Sequence, residues 1–314
     1  MSSSRSVAVT GGLGNLGTKL LLHLARASSC PLLIGLDVRA PSSQQLQTLQ
    51  DAAAQNTTGT TPAIELLECD LTDPRDSRWR DALQRVQSVV HFAALNPYPD
   101  ASWDDAAISI DITLNVALAA AESPSVERFV FATSNHVMGR YKDNPLAATV
   151  GPGTLRPDSP LGVGTVWAKA DPPLDATAYS ATKMVGERIC QALGAQANGA
   201  TSFVSARIGW CQPGANRPET LNASGEPRAD SGAAETHPDP EGYRRAERWF
   251  RLMWLSNRDF ADLFERAINA DASQWPAPAI VVNGMSANTG MAWSLEEARR
   301  HLGYQPQDDV TRTE

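Results

Sequence analysis

The feature that most constrains this chain is a glycine-rich loop between an apolar strand and an amphipathic helix. Residues 6–10 form a short β-branched run that is typical of a buried strand, and Asn15–Ala27 carries apolar side chains along one helical face. Between them the sequence reads TGGLGNLG. Glycines at these spacings permit a tight turn and let a pyrophosphate approach the N-terminus of the helix. Because the strand and the helix supply the context that the motif requires, the loop predicts a dinucleotide-binding unit rather than a plain glycine turn.

Further residues at predicted strand ends favour NAD as the dinucleotide. Asp37 ends the second strand, where a carboxylate accepts a hydrogen bond from the ribose 2′-OH and repels a 2′-phosphate; a simple strand-end cap is the alternative. Arg39 lies two residues on and would soften this preference towards NADP. Ala93 and Ala94 leave space for adenosine, although tight packing would also explain small residues there. The predicted cofactor contacts are Gly11, Gly14, Asn15, Leu16, Gly17, Asp37, Arg39, Asp70, Leu71, Ala93, Ala94, Tyr179 and Lys183.

The rest of the chain alternates short apolar runs with helical stretches, which is typical of a parallel sheet covered on both faces. We therefore expect an α/β fold: a Rossmann-type, doubly wound parallel sheet with a small C-terminal substrate-binding subdomain. The NAD-binding domain is expected over 1–175, and 176–314 would hold the subdomain and the remaining Rossmann elements, a strand near 201–210 and a helix near 259–270. The predicted strands are 6–10, 31–38, 64–69, 88–93, 128–133, 203–207 and 279–282, and the other predicted helices are 15–27, 42–55, 103–121 and 177–195.

Two polar stretches rich in Pro and Gly interrupt this alternation, at 142–173 and 212–247. Loops of this length in a compact domain are usually functional lids or disordered segments. Both follow strands whose carboxyl ends should line the ligand crevice. Their location favours a substrate cover over a plain surface insertion.

Three residues predict hydroxyl–carbonyl redox chemistry. Tyr179 and Lys183 lie one helical turn apart, and Ser134 follows the fifth strand, beside the expected nicotinamide. A phenol has a pKa of about 10, and a nearby ammonium lowers it, so Tyr179 can exchange a proton while the nicotinamide exchanges a hydride. The Ser134 hydroxyl can orient the reacting oxygen. A tyrosine–lysine pair alone is common on helices, but together with Ser134 and the glycine loop it predicts a catalytic trio.

These motifs resemble the short-chain dehydrogenase/reductase superfamily, in its extended epimerase/dehydratase branch, over nearly the whole chain. Segments 134–141, 207–211, 254–260 and 284–288 are most similar to the uronate dehydrogenases. The resemblance implies NAD-dependent oxidation of the anomeric hydroxyl of a sugar or sugar acid to a lactone. It also implies a homodimer paired through the helices at 103–121 and 177–195. The substrate contacts it suggests are Asn96, Asn135, His136, Trp210, Arg248 and Arg251.

Some positions depart from the uronate dehydrogenases, and a simple hexuronate is therefore not the only candidate substrate. Ser109 stands where the branch has a structural Asn, which puts a proton relay through that helix in doubt. Trp210 replaces a small polar contact, and an indole favours stacking over gripping a hydroxyl. Trp249 falls at the register of the carboxylate-binding Arg and is flanked by Arg248 and Arg251. Asn135 and His136 could contact substrate or brace their loop, whereas Trp249, Trp254 and Trp293 are expected in packing.

Composition argues against other classes of partner. The net charge of −8 and the pI near 5.2 disfavour nucleic acid and anionic membranes. The polar N-terminus, the lack of a long apolar run and four scattered cysteines predict a cytoplasmic protein with free thiols. No histidine spacing suggests a metal site. Two alternatives stay open: a nucleotide-sugar epimerase that uses the same trio, and a non-catalytic NAD-sensing protein.

Overall fold

The computed structural model describes residues 4–97, 100–167, 174–196, 200–221 and 239–312. Within them, a seven-stranded parallel sheet has the order β3-β2-β1-β4-β5-β8-β9. The strands of this sheet are β1 Val7–Thr10, β2 Leu32–Asp37, β3 Ala63–Glu68, β4 Ser88–His91, β5 Arg128–Ser134, β8 Ser202–Ile208 and β9 Ala279–Gly284. Two short antiparallel strands, β6 Val166–Trp167 and β7 Leu174–Asp175, form a separate pair. The doubly wound α/β fold is thereby confirmed.

The sheet separates two layers of helices. The α-helices are α1 Asn15–Ala27, α2 Ser43–Ala54, α3 Ser77–Leu83, α4 Trp103–Glu122, α5 Thr177–Gln196, α6 Pro240–Leu252, α7 Asn257–Asn269 and α8 Glu296–Leu302. Short 3₁₀ helices lie at Asn135–Lys142, Leu146–Thr149 and Pro218–Thr220. Along β1, Val7 and Val9 pack into the core with α1, α2 and α7, while Ala8 packs into the opposite core with α3, α4 and α5. This alternation follows from the two-residue period of a strand.

Local sequence accounts for most element boundaries. Ser42 and Gln45 form a capping box at the start of α2, and Ser102 and Asp105 form another at α4. Helix α1 has its predicted bounds, and the other elements predicted above lie within two residues of their expected ends. The largest differences at strand ends are two residues: β4 stops at His91, before its predicted end, and β9 continues to Gly284, past its predicted end. Helix α3 was not predicted; the Asp76 carboxylate caps it by accepting from the Arg78 amide.

The prediction of a loop over 212–247 is wrong at its C-terminal end, because α6 begins at Pro240. Asp239 caps this helix through the amide of Gly242, and Ala246, Trp249 and Phe250 form its buried face. Arginines lie between these apolar residues, and the face continues beyond residue 247, where the predicted loop ends. For both reasons the helical period was not recognised in the sequence. Residues 222–238 of this stretch lie outside the described residues.

The other stretch, 142–173, packs against the C-terminal part of the chain where it is described. Leu155 is buried, its amide donates to Ala292 O, and its carbonyl accepts from the Ser294 amide. The Gly153 amide likewise donates to Met291 O. Residues 168–173 lie outside the described residues.

Candidate active site

The candidate active site lies at the carboxyl edge of the sheet, where β5 and β8 end side by side. Ser134 is the last residue of β5 and pairs in register with Ile208. Helix α5 starts beside this edge, after Asp175, whose carboxylate accepts from the Thr177 amide at 2.9 Å. The structure thus brings Ser134 to the first turns of the helix that carries Tyr179. A hydrogen bond links the Ser134 and Tyr179 side chains.

Lys183 lies one turn further along α5 and is buried. Its Nζ is 5.8 Å from the centre of the Tyr179 ring and 5.1 Å from that of Phe131. It donates a hydrogen bond to Ala132 O at 3.0 Å. Burial lowers the pKa of Lys183 to about 8, since a low-dielectric environment disfavours the charged form. Ser134, Tyr179 and Lys183 therefore lie together, as the sequence predicts.

The protonation equilibrium of Tyr179 differs from the sequence prediction. Burial raises the pKa of Tyr179, and the hydrogen bond with Ser134 offsets only part of this effect. The net shift is upwards, whereas the proximity of Lys183 predicts a downward one. Desolvation disfavours the charged phenolate, and this effect sets the direction of the shift.

His136 packs directly against Tyr179. The two rings are edge to face, with centroids 5.6 Å apart and planes at 81°. His136 Nδ1 is 2.7 Å from the Thr165 hydroxyl, and the His136 amide donates to Ser134 Oγ at 3.2 Å. Burial lowers the pKa of His136 to about 4, so the ring is neutral at neutral pH. His136 thus both braces its loop and lies beside the predicted trio.

Asn135 presents an unsatisfied acceptor next to Ser134. Its Nδ2 donates to Ile208 O at 3.1 Å, while its Oδ1 is buried and has no hydrogen-bond partner among the described residues. An orphaned buried carbonyl is costly unless something else satisfies it. A hydroxyl or an amide of a bound molecule would do so.

The glycine loop fits a pyrophosphate. Gly11 has a φ of 64°, a conformation that favours glycine, and a Cβ at Gly17 would lie 2.1 Å from Gly11 O. The N-cap of α1 is Gly14, which has no side chain to cap the helix, so the first amides of α1 are left for an anion. Asn15 Nδ2 donates to Cys211 O at 3.0 Å, which ties this terminus to the segment after β8. Leu16, next to it, is partly buried in the core.

Of the residues predicted to contact adenosine, Asp37 and Ala93 touch this loop, whereas Asp70 and Leu71 follow β3. Asp37 is buried at the end of β2, and its Oδ2 accepts from the Leu13 amide within the glycine loop at 3.0 Å. A Cβ at Gly11 would lie 3.1 Å from the Ala93 amide, so Ala93 packs against the loop; Ala94 is half-buried. Asp70 and Leu71 follow β3: the Asp70 carboxylate accepts from Thr72, and Leu71 belongs to the core.

The remaining residues predicted to contact substrate differ in how far they are exposed to solvent. Asn96 has a φ of 44° and donates to Asp105 Oδ2 at 3.3 Å. Trp210 is half-buried, with its ring 6.1 Å from that of Phe250. On α6, Arg248 is exposed and Arg251 is half-buried.

The three tryptophans expected in packing are buried. The rings of Trp249 and Trp293 lie 4.3 Å apart. The indole of Trp254 donates to Asn216 Oδ1 at 3.0 Å. These contacts confirm the packing prediction for Trp249, Trp254 and Trp293.

Sequence reasoning missed a buried ion pair beneath the site. Arg207 on β8 makes a bidentate pair with Glu187 on α5, with one contact of 2.7 Å and both side chains about 3% exposed. Glu187 Oε1 also accepts from Thr133 Oγ1 at 2.9 Å, and Arg207 Nη1 donates to Pro157 O at 3.1 Å. An arginine within the apolar strand Ser202–Ile208 was the available signal, since a buried charge requires a partner.

Lys19 was also missed. Its Nζ donates to Asn257 Oδ1 at 2.7 Å and to Gln212 O, which joins α1 to the start of α7 and to the segment after β8. Nothing in the local sequence of α1 indicates this partner. The contact depends on residues that are distant along the chain.

Cysteine pairing, metal sites and membrane-spanning helices can be judged for the described residues. All four cysteines are unpaired and buried. No cluster of His, Cys, Asp and Glu side chains suited to a metal ion is found in the described ranges. None of the helices described is at once long and apolar enough to cross a membrane.

A doubly wound parallel sheet with an uncapped glycine loop, a carboxylate at the end of β2 and a tyrosine–lysine helix defines a nicotinamide-dependent enzyme of the Rossmann type. The chain belongs to the NAD-dependent epimerase/dehydratase family, whose model matches residues 7–210. NAD is the cofactor of this family, which confirms the cofactor prediction. The chain is therefore an NAD-dependent oxidoreductase of the sugar dehydrogenase and epimerase kind.

Two curated relatives come from Haloferax volcanii. The chain is 33% identical over 250 residues to L-arabinose 1-dehydrogenase (NAD(P)(+)), covering 78% of this chain and 84% of the relative. It is 29% identical over 305 residues to NAD-dependent glucose-6-phosphate dehydrogenase, covering 96% and 93%. Both are sugar dehydrogenases by name.

Solved structures with the same fold are more distant in sequence. UDP-glucose 4-epimerase from Bifidobacterium longum, in complex with NAD⁺ and UDP, has a TM-score of 0.62 at 14% identity and covers 97% of this chain and 94% of its own. A short-chain dehydrogenase/reductase superfamily protein from Agrobacterium tumefaciens with bound NAD has a TM-score of 0.57 at 17% identity, covering 98% and 94%. At these identities the likeness concerns the fold.

Proposed function

We propose that this chain oxidises the anomeric hydroxyl of a sugar or sugar acid to a lactone with NAD. The observation that carries the proposal is that Ser134, Tyr179 and Lys183 lie together at the carboxyl edge of the sheet, the same edge at which the glycine loop follows β1. The names of the two Haloferax relatives support a dehydrogenase of unphosphorylated or phosphorylated sugars. A uronate stays a candidate substrate through the resemblance of segment 134–141.

In this mechanism the chain orients the substrate and moves one proton, and the bound nicotinamide supplies the hydride acceptor. Ser134 Oγ accepts from the His136 amide and shares a hydrogen bond with Tyr179, so its position is well defined beside the reacting hydroxyl. Tyr179 takes the hydroxyl proton. The ammonium of Lys183 stabilises the phenolate form of Tyr179 that accepts this proton. Neutral His136 and the free Oδ1 of Asn135 provide polar contacts for the other sugar hydroxyls.

A substrate panel tests the proposal. NADH formation is followed by absorbance with uronic acids, neutral aldoses and sugar phosphates at equal concentration. A steady rise with one class supports a dehydrogenase and identifies that class. Interconversion of a nucleotide sugar without net NADH would instead favour the epimerase alternative, which uses the same trio.

Tyr179→Phe separates an enzyme from an NAD-sensing protein. The variant should lose about 10²- to 10⁴-fold in kcat, because general-base catalysis contributes about this much, while its NAD affinity stays close to that of the wild type. Tyr304→Phe is the control: its hydroxyl donates to Met285 O at 2.9 Å at the other end of the chain, so kcat should not change. An unchanged rate in Tyr179→Phe would overturn the mechanism.

We also propose a homodimer that pairs through α4. This helix exposes a row of apolar side chains, with Trp103 64%, Leu114 41% and Leu118 39% exposed, which is unusual for a helix packed on a sheet. A second copy of the chain would cover that face. Leu114→Glu combined with Leu118→Glu should halve the mass measured by light scattering, whereas a wild-type mass equal to one chain would refute the dimer.

The four buried free thiols suit a reducing, cytoplasmic setting.

A further inference from the structure

Thr165, in the first of the two polar stretches, brings a buried hydroxyl to the candidate active site. Its Oγ1 lies 2.7 Å from His136 Nδ1. The backbone holds this contact from two directions. The Gly164 amide donates to His136 O at 3.1 Å. The Ala176 amide donates to Thr165 O at 2.9 Å. A Cβ at Gly139 would collide with Thr165 Oγ1, so the hydroxyl has little room to move away from the histidine.

The direction of the hydrogen bond follows from the proton that each group must place. Burial lowers the pKa of His136 to about 4, so at neutral pH one ring nitrogen carries a proton and the other accepts. Among the described residues, Thr165 Oγ1 has no partner besides His136 Nδ1. If Nδ1 carried the proton, the buried Thr165 hydroxyl would have no acceptor, which is costly. Thr165 therefore donates to Nδ1, and the ring proton lies on Nε2.

His136 passes this constraint on to two members of the trio. Its amide donates to Ser134 Oγ at 3.2 Å. Its ring stands edge to face against Tyr179, with the centroids 5.6 Å apart. A hydrogen bond at one ring nitrogen determines which tautomer an imidazole adopts, and it also restrains rotation of the ring. The Thr165 hydroxyl thus acts on Tyr179 through the histidine.

We propose that Thr165 is a positioning residue for the sugar oxidation, because its hydroxyl fixes His136 as the Nε2–H tautomer and holds the ring against Tyr179. The inference rests on the proposed function and deepens it. His136 becomes a hydrogen-bond donor towards an oxygen atom of the sugar. Since Thr165 occupies Nδ1 and the ring proton occupies Nε2, neither nitrogen accepts the hydroxyl proton, and that step belongs to Tyr179.

The first test determines the tautomer without any sugar. Nitrogen NMR of the chain with ¹⁵N-labelled histidine distinguishes protonated from unprotonated ring nitrogens at neutral pH, and His136→Gln identifies the signals of His136. The wild type and Thr165→Ser should show Nδ1 unprotonated and Nε2 protonated. Thr165→Val keeps a similar shape but lacks the hydroxyl, so its His136 signals should move towards those of a mixture of tautomers. A protonated Nδ1 in the wild type, or an unchanged spectrum in Thr165→Val, would overturn the proposal.

The second test measures kcat/KM for the best sugar of the panel and the dissociation constant of NADH. Thr165→Val should lower kcat/KM about ten-fold, as expected for the loss of a buried hydrogen bond, while NADH binding stays at its wild-type value. Thr165→Ser should recover most of the activity, because it restores the hydroxyl. Wild-type kcat/KM in Thr165→Val, or equal losses in the Val and Ser variants, would contradict the positioning role.

Thr149→Val is the matched control. It removes a hydroxyl from the same polar stretch, at a place where Thr149 Oγ1 donates to Leu146 O near the surface. Neither the His136 spectrum nor kcat/KM should change. The two proposals fail in different ways. An unexpected tautomer together with normal sugar oxidation refutes the inference alone, whereas a wild type that oxidises no sugar refutes the proposed function, whatever the spectra show.

Discussion

At Tyr179 and Lys183, desolvation acts on both titratable groups of the predicted proton-transfer site. It raises the pKa of the phenol and lowers that of the ammonium to about 8, so in each case the neutral form is favoured. Removal of a proton from a sugar hydroxyl requires the phenolate. Oxidation should therefore accelerate as the pH rises towards the alkaline range, up to the point where Lys183 loses its charge.

Replacing Lys183 by Met should move the rising limb of kcat/KM for oxidation to higher pH. The ammonium stabilises the phenolate, and without it the apparent pKa of Tyr179 increases further. The measurement is kcat/KM for the best substrate across a pH series, in the wild type and in Lys183→Met. A profile that loses height but keeps its position would argue that Lys183 only binds the cofactor.

At the scale of elements, α5 aligns Tyr179, Lys183 and Glu187 at intervals of one helical turn. Glu187 joins this helix to β8 through Arg207 and to β5 through Thr133, the residue before Ser134. The loop around Pro157 is held by the same guanidinium. One buried ion pair thus fixes the elements that carry the predicted trio relative to each other.

Glu187→Gln should destabilise the fold by about 3 kcal/mol, because it leaves the Arg207 guanidinium buried without a compensating charge. The free energy of unfolding is measured by urea titration. Asp262→Asn is the control: Asp262 pairs with Arg266 in a partly exposed i,i+4 arrangement, and its loss should cost less than about 1 kcal/mol. Equal losses in the two variants would contradict the assigned role of the buried pair.

At the scale of the whole molecule, two buried histidines link folding to pH. His91 lies 2.7 Å from Thr10 Oγ1 and 3.2 Å from Thr113 Oγ1. Burial, followed by the charge of Lys183, lowers its pKa to about 3, and burial lowers that of His136 to about 4. Both rings are neutral in the folded chain, whereas in the unfolded chain they take up protons near the ordinary histidine pKa of 6.5.

Stability should therefore fall as the pH decreases below 6.5, since the unfolded chain binds more protons. The slope is about 1.4 kcal/mol per pH unit for each fully shifted histidine, and it continues to about pH 4. Urea titrations over this range measure it. His91→Asn should lower this slope by the contribution of one histidine, even if the variant is less stable at neutral pH. An unaltered slope would show that His91 does not contribute to the loss of stability at low pH.

The fold was largely predictable because its signals are local. Strands such as Arg128–Ser134 contain a continuous apolar run, and α1 follows a glycine N-cap and carries one apolar face, so a few neighbouring residues determine each of them. Helix α6 was missed because its apolar face is short and interrupted by arginines. Within the site, the trio was predicted from spacing, and the structure brings its three members together.

The sequence by itself determined the order and type of the elements, the glycine loop and the residues that meet at the sheet edge. These depend on backbone sterics, on periodicity and on the rule that parallel strands end at one edge. Only the tertiary structure decided the direction of the Tyr179 pKa shift, the partner of Arg207 and the contact of Asp37 with the glycine loop. Those properties depend on burial and on which side chains meet across the fold. Contacts across the fold join residues that are far apart along the chain, and burial depends on the exclusion of solvent by the whole structure. No local sequence pattern records either of them.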